Sequence, residues 1–336
     1  MNMNTKKSIK YEAIEGWAKI PHGFWLREAT SVAVDSNDNV YVFNRGNMPV
    51  IVLDQEGNVI NYWGTDNSIN DTVIRTDAYG NSLQFWETWF VRPHAITIDH
   101  EDNLWVVDDS GHQIHKMSKT GEFLLTLGSG KPSKKQSGEM FNRPTDVVVS
   151  KTTGEIFISD GYGNSRIHRF DSEGNHLLSF GESGTEPGKF NLPHNIALID
   201  DDEIIVCDRE NNRVQIFSVD GEYRREWMAH KAVAVEVTGN GENTKIYVAE
   251  QGPAPVQRGV ANIGNCVRIY DKNGTEILRF GNEHFGENFD QFLWPHSLAI
   301  DSKENIYIAE VSFTEWGRHE TPRREMPSLK KWSKKD

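Results

Sequence analysis

Short apolar segments alternate with polar turns along the chain, and this alternation repeats. In the first half of the repeat, an apolar strand is followed by a turn and by a second apolar strand that ends in a polar residue. This half occurs six times, beginning near residues 30, 93, 144, 193, 231 and 295. The second half consists of two strands of alternating polarity joined by a turn that contains glycine, as in IVLDQEGNVINYWG from Ile51. Such strand pairs are typical of β-hairpins.

The repeat predicts the architecture. Four strands in a unit of roughly 40–50 residues are the pattern of a β-propeller blade, and the sequence shows no segment with a helical period. We therefore expect an all-β fold, a six-bladed β-propeller. The sixth unit lacks a fourth strand, and we predict that Tyr11–Trp17 supplies it, so that the two ends of the chain close the ring and leave no sheet edge open. A solenoid built from the same units is the alternative.

This interpretation makes residues 1–336 a single domain. Residues 1–28 are expected to hold the closing strand and the lead-in to the first blade. The blades are expected at approximately residues 29–64, 92–128, 143–181, 192–227, 231–281 and 294–335.

Charge and hydropathy exclude several classes of partner. The 336 residues carry a formal net charge of −13, which disfavours a broad nucleic-acid or anionic-membrane interface. No apolar run approaches the roughly 20 residues of a membrane helix, and the basic N-terminal segment is not followed by the apolar core of a secretory signal. The two cysteines, Cys207 and Cys266, allow one disulfide at most. We therefore expect a cytoplasmic protein with a small-molecule or peptide substrate, and with no nucleic-acid or membrane partner.

Histidine recurs at one position of every second unit. Aligning the starts of the six units places these residues at equivalent positions: Thr30, His94, Thr145, His194, Lys231 and His296. The three histidines are 100 and 102 residues apart, and alternate blades of a six-membered ring lie a third of a turn apart. The pattern therefore predicts three imidazoles pointing into the channel, as in a catalytic zinc site with an open fourth position. The alternative is that Pro-His belongs to the repeat itself and each histidine bonds its own blade, but the other units carry Thr or Lys.

The second strand of each unit ends at the rim where the first begins, so its last residues are expected to surround the metal. Arg45 and Arg209 are candidates to clamp a substrate carboxylate, and Tyr162 to accept a proton beside the metal. Asp109 and Glu310 are candidate pocket residues and proton donors to a leaving group. The alternatives are surface ion pairs for the two arginines and a packed aromatic side chain for Tyr162.

Two further segments are predicted to reach the same rim. The aromatic run FWETWF at residues 85–90, with Trp86 and Trp89, is expected to form a lid or pocket wall, and a small core beneath a long loop is the alternative. The insert at residues 311–327, with Trp316 and Arg318, supplies weaker pocket candidates.

The segments FNRPTDVVVSKTTGEIFISDGYGNSRIHRF from Phe141 and PGKFNLPHNIALIDDDEIIVCDRENNRVQIF from Pro187 resemble the peptidyl-α-hydroxyglycine α-amidating lyase family, which are six-bladed propellers of the NHL-repeat type. The runs SDGYGNSR and DRENNR are more specific than a generic repeat. The resemblance covers nearly the whole chain and is weakest over residues 66–85 and 251–264.

This resemblance implies zinc bound by three histidines, which correspond to His94, His194 and His296. It also implies an active-site tyrosine at Tyr162 and substrate-binding arginines at Arg45 and Arg209. Family members cleave the C–N bond of an N-acyl α-hydroxyglycine and release an amide and glyoxylate. The sequence thus favours a metal-dependent lyase acting on a small or peptidyl α-hydroxy-amide. Two alternatives stay open: a metal-dependent hydrolase of an ester or lactone, and a non-catalytic scaffold that binds a protein.

The chain also departs from the family pattern. Trp294 stands two residues before the third histidine where the family has Met, so we expect Trp294 to line the substrate pocket. Gly163 follows Tyr162 where secreted family members have a bridging Cys. Ser297 replaces the acidic residue that helps to hold a structural calcium, so the resemblance does not carry that calcium over to this chain.

Overall fold

The computed structural model describes residues 9–66, 88–252, 260, 263–281 and 285–335, together with the backbone of residues 73–76 and 82–85. Over these residues the chain forms six four-stranded antiparallel sheets and one separate two-stranded ribbon. The six-bladed β-propeller predicted from the repeat is therefore confirmed. The chain begins with β1 (Lys10–Ala13). The first sheet contains β2 (Ala29–Val34), β3 (Val40–Asn44), β4 (Val50–Leu53) and β5 (Val59–Trp63), and the ribbon consists of β6 (Val73–Thr76) and β7 (Ser82–Phe85).

The next three sheets follow the chain without interruption. The second contains β8 (Pro93–Ile98), β9 (Leu104–Asp108), β10 (Gln113–Met117) and β11 (Phe123–Leu127). The third contains β12 (Asp146–Val149), β13 (Ile156–Asp160), β14 (Arg166–Phe170) and β15 (His176–Phe180). The fourth contains β16 (Pro193–Ile199), β17 (Glu203–Asp208), β18 (Arg213–Ser218) and β19 (Tyr223–Met228).

The last two sheets complete the ring. The fifth contains β20 (Ala232–Thr238), β21 (Lys245–Glu250), β22 (Cys266–Asp271) and β23 (Glu276–Phe280). The sixth contains β24 (Pro295–Ile300), β25 (Ile306–Glu310) and β26 (Leu329–Lys335), with β1 as its outermost strand. Within the described residues the helical segments are short: α1 (Ser312–Glu315) and 3₁₀ turns at Arg209–Asn211, Gly241–Asn243 and Gly317–His319. No helix of this described part is long and apolar enough to span a membrane.

The position of a strand in its blade explains its polarity pattern. The second strands, such as β9 with the sequence LWVVD and β13 with IFISD, are buried along their whole length. They are nearly continuous in apolar character because neighbouring blades cover both of their faces. The outermost strands, such as β15 and β19, have exposed residues along most of their length. The polarity pattern of a strand therefore indicates whether it lies inside its blade or at the outer edge.

Apolar clusters between neighbouring blades hold the ring together. The cluster between the sixth and first blades joins Ala299 and Tyr307 to Val32 and Val42, all of them buried. Equivalent clusters fill the five other junctions among the described blades. Because each blade packs against two neighbours, the ring positions its inner strands, and hence any site built on them, with little dependence on loops.

The chain's two ends close the ring, as the sequence predicts. β1 pairs antiparallel with β26, and Ala13 lies opposite Trp332. The predicted closing strand was placed too far along the chain, because it ends at Ala13 and not at Trp17. The Trp17 ring packs 4.9 Å from the Tyr307 ring, and its indole N–H donates to the Gln55 carbonyl.

The turns of the outer hairpins explain the recurring glycines. In the DQEG turn, the Gly57 N–H donates to the Asp54 carbonyl and Gly57 has φ +83°. Gly174 takes the same place in the DSEG turn, with φ +87°. Left-handed backbone at this place favours glycine, and each turn is accompanied by a register shift in its hairpin. Each glycine therefore marks where one blade's third strand turns into its fourth.

Candidate active site

The three histidines lie at breaks in the inner strands. The register between β8 and β9 shifts between Pro93 and Ala95, so His94 is an unpaired bulge residue. Register shifts at the same place accompany His194 in β16 and His296 in β24. A β-bulge re-aims the side chain of its extra residue. The bulges therefore turn the three imidazoles toward one another.

The fifth blade corrects one position of the sequence alignment. The register shift there lies between Ala232 and Ala234, so Val233, and not Lys231, is equivalent to the histidines. The misalignment arose because this degenerate copy lacks the proline that marks the position in other units. We call Thr30, His94, Thr145, His194, Val233 and His296 the histidine level.

The three imidazoles meet at one point. Ring centroids are 5.1 Å apart for His94 and His194, 4.8 Å for His94 and His296, and 4.7 Å for His194 and His296. One nitrogen of each ring lies within 4.8 Å of those of the other two, and all three residues are buried. Separations of this size would allow the three nitrogens to bind one metal ion.

Each imidazole is oriented by the blade that follows it. The Nδ1 atom of His94 lies 2.7 Å from the Thr145 carbonyl, that of His194 lies 2.7 Å from the Val233 carbonyl, and that of His296 lies 2.6 Å from the Thr30 carbonyl. A carbonyl only accepts, so Nδ1 carries the proton and Nε2 keeps its lone pair. The blades without histidine therefore fix the tautomer that a metal needs. These bonds cross between blades, unlike the own-blade bonds of the alternative.

Burial and neighbouring cations keep the imidazoles neutral. Burial lowers the pKa of His296 to about 3, and the Arg45 guanidinium acts in the same direction. Burial also lowers the pKa of His94 and of His194 well below the usual value, with further lowering by the other histidines and by Arg209 for His194. Neutral imidazole is the metal-binding form. Three neutral nitrogen donors with a free direction fit a zinc-like transition metal.

Two further rings of residues surround the histidine level. The residues two positions before it form what we call the approach ring: Glu28, Arg92, Arg143, Leu192, Lys231 and Trp294. In every blade the carbonyl of the approach-ring residue accepts a hydrogen bond from a backbone N–H just after the second strand. The donors form the exit ring: Arg45, Asp109, Tyr162, Arg209, Gln251 and Val311. The repeat thus places twelve residues in two rings next to the histidine level.

Tyr162 of the exit ring touches the histidines directly. Its hydroxyl lies 3.0 Å from Nε2 of His94 and 3.4 Å from Nε2 of His194. Gly161 allows this placement, because a Cβ there would lie 2.0 Å from the Pro193 carbonyl oxygen. The phenol is therefore within reach of any group bound at the three nitrogens.

Arg45 and Arg209 stand on either side of this tyrosine in the ring. Arg45 donates from Nε to the Pro93 carbonyl at 3.1 Å and from Nη1 to Glu28 at 2.6 Å. The Arg209 guanidinium carbon lies 6.0 Å from the Tyr162 ring centroid, and its Nε donates to Glu210 at 2.9 Å. Both side chains are nearly buried, with 10% and 15% of their surface exposed. The structure brings these two predicted residues to the histidines.

The insert of the sixth blade reaches the rim through Thr314. The Thr314 hydroxyl and backbone N–H both donate to the buried Glu28 carboxylate, which also binds Arg45. Arg45 lowers the pKa of Glu28, against the opposing effect of burial. Trp316 and Arg318 of the same insert take other roles: the Trp316 ring stacks on Phe285, and Arg318 bonds His319.

The two predicted carboxylates are held in place by other groups. Glu310 is fully buried and accepts the backbone N–H groups of Leu293 and Trp294. Asp109 is fully buried and accepts from Arg92 and Arg143. The two carboxylates also differ in repeat position, because Glu310 ends a second strand whereas Asp109 follows one. Both carboxylates hold backbone or arginine groups in place at the rim, and their part in protonating a leaving group stays a prediction.

The aromatic residues predicted to line the pocket lie in different parts of the structure. Trp294 lies in the approach ring, two residues before His296. Trp89 does not lie at the rim: its ring stacks 6.0 Å from that of Trp63 in an outermost strand, and its indole N–H donates to Asp66. Trp89 packs against the apolar cluster between the first and second blades. Trp86 lies outside the described residues.

Ser297 is engaged by neighbouring blades. Its hydroxyl lies 2.9 Å from that of Ser31 and accepts the Val32 N–H at 3.3 Å. Ser31 in turn accepts the Ile96 N–H at 3.1 Å. Two neutral hydroxyls therefore link three blades just beyond the histidine level, in place of the carboxylate that the family uses for calcium.

Comparisons with known proteins agree with the repeat. A family model described as "NHL repeat" matches residues 141–170 and 190–217. Human "NHL repeat-containing protein 3" is 32% identical over 325 residues, covering 91% of this chain and 82% of that protein. The Caenorhabditis elegans "Probable peptidyl-alpha-hydroxyglycine alpha-amidating lyase pgal-1" is 36% identical over 204 residues, covering 57% of this chain and 56% of that protein.

Other relatives are much longer than this chain. The rat "Peptidylglycine alpha-amidating monooxygenase" is 31% identical over 330 residues, covering 90% of this chain and 32% of that protein. The chain spans about a third of the length of such relatives. Among solved structures, one described as "Streptogramin B lyase structure" has a TM-score of 0.57 at 13% identity and covers 97% of this chain and 98% of that one. That likeness shows the propeller fold.

Proposed function

The chain belongs to the NHL-repeat family of six-bladed propellers that includes peptidyl-α-hydroxyglycine α-amidating lyases and NHL repeat-containing protein 3, and on that premise we propose that it is a metal-dependent carbon–nitrogen lyase. Its substrate class is an N-acyl α-hydroxyglycine, small or peptidyl, and its products are an amide and glyoxylate. The observation that carries the proposal is the Tyr162 hydroxyl within hydrogen-bond distance of two histidine nitrogens.

His94, His194 and His296 would hold the metal, zinc or another divalent transition metal, through their Nε2 atoms. A bound divalent metal supplies Lewis-acid polarisation of a substrate oxygen. Arg45 and Arg209 bind the substrate carboxylate, since their guanidinium groups lie beside the histidines and are fixed by Glu28 and Glu210. This placement puts the α-hydroxyl of the substrate next to Tyr162.

Tyr162 moves the proton that the reaction requires. Its phenol oxygen takes the proton of the α-hydroxyl, and the electron pair of the breaking C–N bond stays with the amide nitrogen. The proton then goes to that nitrogen, so R-CO-NH-CH(OH)-COO⁻ gives R-CO-NH₂ and glyoxylate without consuming water. The arginines stay bound to the carboxylate, which both substrate and glyoxylate carry.

The test is glyoxylate release from N-acetyl-α-hydroxyglycine by purified protein loaded with zinc. Release at a rate above that of the His194→Ala variant supports the lyase. Reaction in ¹⁸O-labelled water separates this chemistry from ester or lactone hydrolysis, because hydrolysis places a solvent oxygen in a carboxylate product, whereas the amide released by the lyase gains none. The aldehyde oxygen of glyoxylate exchanges with water and is left out of the comparison. Absence of both metal binding and reaction would favour a protein-binding scaffold.

A further inference from the structure

Two arginines of the approach ring share one buried carboxylate. Arg92 Nη1 and Arg143 Nη2 lie 2.5 and 2.7 Å from the same oxygen of Asp109. Asp109 is fully buried, whereas 31% of the Arg92 side chain and 39% of the Arg143 side chain are exposed. The carboxylate therefore holds both guanidinium groups, while part of each arginine side chain stays exposed. The sequence motifs did not single out either arginine.

Both arginines lie beside the reacting position. The Arg143 guanidinium carbon is 4.5 Å from the Tyr162 ring centroid, and the Arg143 carbonyl accepts the Tyr162 N–H. Arg92 stands two residues before His94, and the Arg92 carbonyl accepts the Asp109 N–H. The pair occupies blades 2 and 3, between the blades of Arg45 and Arg209.

Positive side chains outnumber negative ones around this part of the rim. The five cations are Arg45, Arg92, Arg143, Arg209 and Lys231, and the acids that bind them are Glu28, Asp109 and Glu210. Two positive charges are left in a chain whose net charge is −13. A substrate with a single carboxylate, bound by Arg45 and Arg209, would neutralise only one of them.

The geometry of the pair suits a carboxylate ligand. A guanidinium has five N–H donors in a planar fork that matches a carboxylate. The buried Nε of Arg143 has no hydrogen-bond partner among the described residues. One shared carboxylate therefore leaves most of the donors of Arg92 and Arg143 for a ligand.

We propose that Arg92 and Arg143 form a second anion subsite, which selects substrates whose acyl portion carries its own carboxylate. In this arrangement Arg45 and Arg209 bind the glycine carboxylate, and Arg92 and Arg143 bind an acidic acyl group on the far side of the scissile bond. The substrate class is then an N-acyl α-hydroxyglycine with two negative charges, such as a dicarboxylic acyl compound or a peptide with an acidic residue before the hydroxyglycine. This inference rests on the proposed lyase function.

A kinetic comparison tests the subsite. N-acetyl-α-hydroxyglycine carries one negative charge and N-succinyl-α-hydroxyglycine carries two, and glyoxylate release is measured for both. We expect kcat/KM to favour the succinyl compound by about tenfold or more, since a carboxylate gains two charge-assisted partners. The ratio should fall towards one in Arg92→Gln and in Arg143→Gln, and Arg143→Lys should recover part of it. Arg225→Gln is the matched control, because Arg225 lies on the outermost strand β19, is 35% exposed and binds Glu203.

An equilibrium measurement keeps the subsite testable if no reaction occurs. N-acetylglycine and N-succinylglycine lack the α-hydroxyl and cannot be cleaved, so their dissociation constants can be measured by calorimetry. Tighter binding of the succinyl compound by wild type, lost in both Gln variants but not in Arg225→Gln, supports the subsite even if neither α-hydroxyglycine is cleaved. In that case the lyase proposal fails and the subsite stands. Equal affinities in wild type, or a preference that survives in both variants, overturns the subsite and leaves Arg92 and Arg143 as supports for Asp109.

Discussion

The Tyr162 hydroxyl lies 3.0 Å from Nε2 of His94, on the side of the imidazole left free by the bond from Nδ1 to the Thr145 carbonyl. The Thr145 carbonyl and the Tyr162 hydroxyl, both from the third blade, therefore contact opposite sides of the His94 imidazole in the second blade. This arrangement fixes the Tyr162 hydroxyl beside the His94 imidazole.

The first prediction concerns this tyrosine. Tyr162→Phe removes one hydroxyl and keeps the ring that packs beside His94 and Arg143. We expect turnover in the glyoxylate assay to fall by about 10²-fold or more, with little change in KM and in metal content. Tyr223→Phe, on an outermost strand, is the control and should be fully active. Unchanged turnover in Tyr162→Phe would remove Tyr162 from the mechanism.

The second prediction concerns the metal. Purified protein should bind about one zinc ion per chain, and His194→Ala should lose it because two nitrogens hold zinc poorly. The variant should stay folded, because apolar clusters between blades support the ring. Elemental analysis and circular dichroism measure the two outcomes. His176→Ala changes an exposed histidine whose partner is Ser179, and it should keep the metal. Full zinc occupancy in His194→Ala would contradict the three-histidine site.

The third prediction links Arg45 to the residue that holds it. Arg45→Gln should raise the KM for N-acetyl-α-hydroxyglycine by about tenfold or more, because it removes a charge-assisted bond to the substrate carboxylate. Glu28→Gln should raise KM in the same direction but less, since Arg45 is kept and only its orientation is loosened. Steady-state kinetics of the two variants check this order. A larger effect from Glu28→Gln than from Arg45→Gln would show that Glu28 acts in some other way.

The fourth prediction concerns the closure of the ring. Deleting residues 1–13 removes β1, leaves β26 with an open edge and removes the Tyr11 ring that stacks 5.1 Å from Phe280. We expect the melting temperature to fall by at least about 5 °C. Deleting residues 1–8 keeps β1 and serves as the control. Equal melting temperatures for the two deletions would mean that the closing strand contributes little to stability.

The fifth prediction concerns a buried acid of β12. Burial raises the pKa of Asp146 to about 8 and that of Glu236 to about 7. Between about pH 4 and about pH 8 the unfolded chain therefore releases protons that the folded chain keeps, and stability falls as pH rises. Asp146→Asn keeps the size of the side chain and cannot ionise. Its melting temperature should fall less than that of wild type from about pH 5 to about pH 8, and equal slopes would contradict the assignment.

The sequence predicted the fold and the histidines because both are repeated. Six copies of one pattern determine the strand order, and histidine in alternate copies determines a shared level. The alignment was wrong only in the fifth unit, whose sequence has diverged from the repeat. Lys231 was aligned with the histidines, but it lies two positions before Val233, the equivalent residue. Periodicity could not reveal the bulges, because a bulge adds a single residue to one strand and leaves the apolar pattern unchanged on either side.

The residues at the rim were harder to predict, because a difference of one position along the chain decides whether a residue ends its strand or follows it. Glu310 and Asp109 both follow apolar segments, yet one ends its strand and the other stands beyond it. Trp89 is separated from the first blade by a long connection whose path no local pattern encodes. Arg92 and Arg143 stand at the same repeat position as Trp294, and comparing that position across all units would have found them.

The alternation of blades with and without histidine also limits how such a ring can change in size. Each imidazole needs a neighbour that offers a carbonyl, and the three imidazoles must lie a third of a turn apart. Six blades satisfy both conditions with one intervening blade between successive histidines. Gain or loss of a single blade would leave two histidine-bearing blades adjacent or too far apart. An added pair of blades would also break the arrangement, because histidines on alternate blades of an eight-bladed ring lie a quarter of a turn apart. The three-histidine site therefore depends on a ring of six blades.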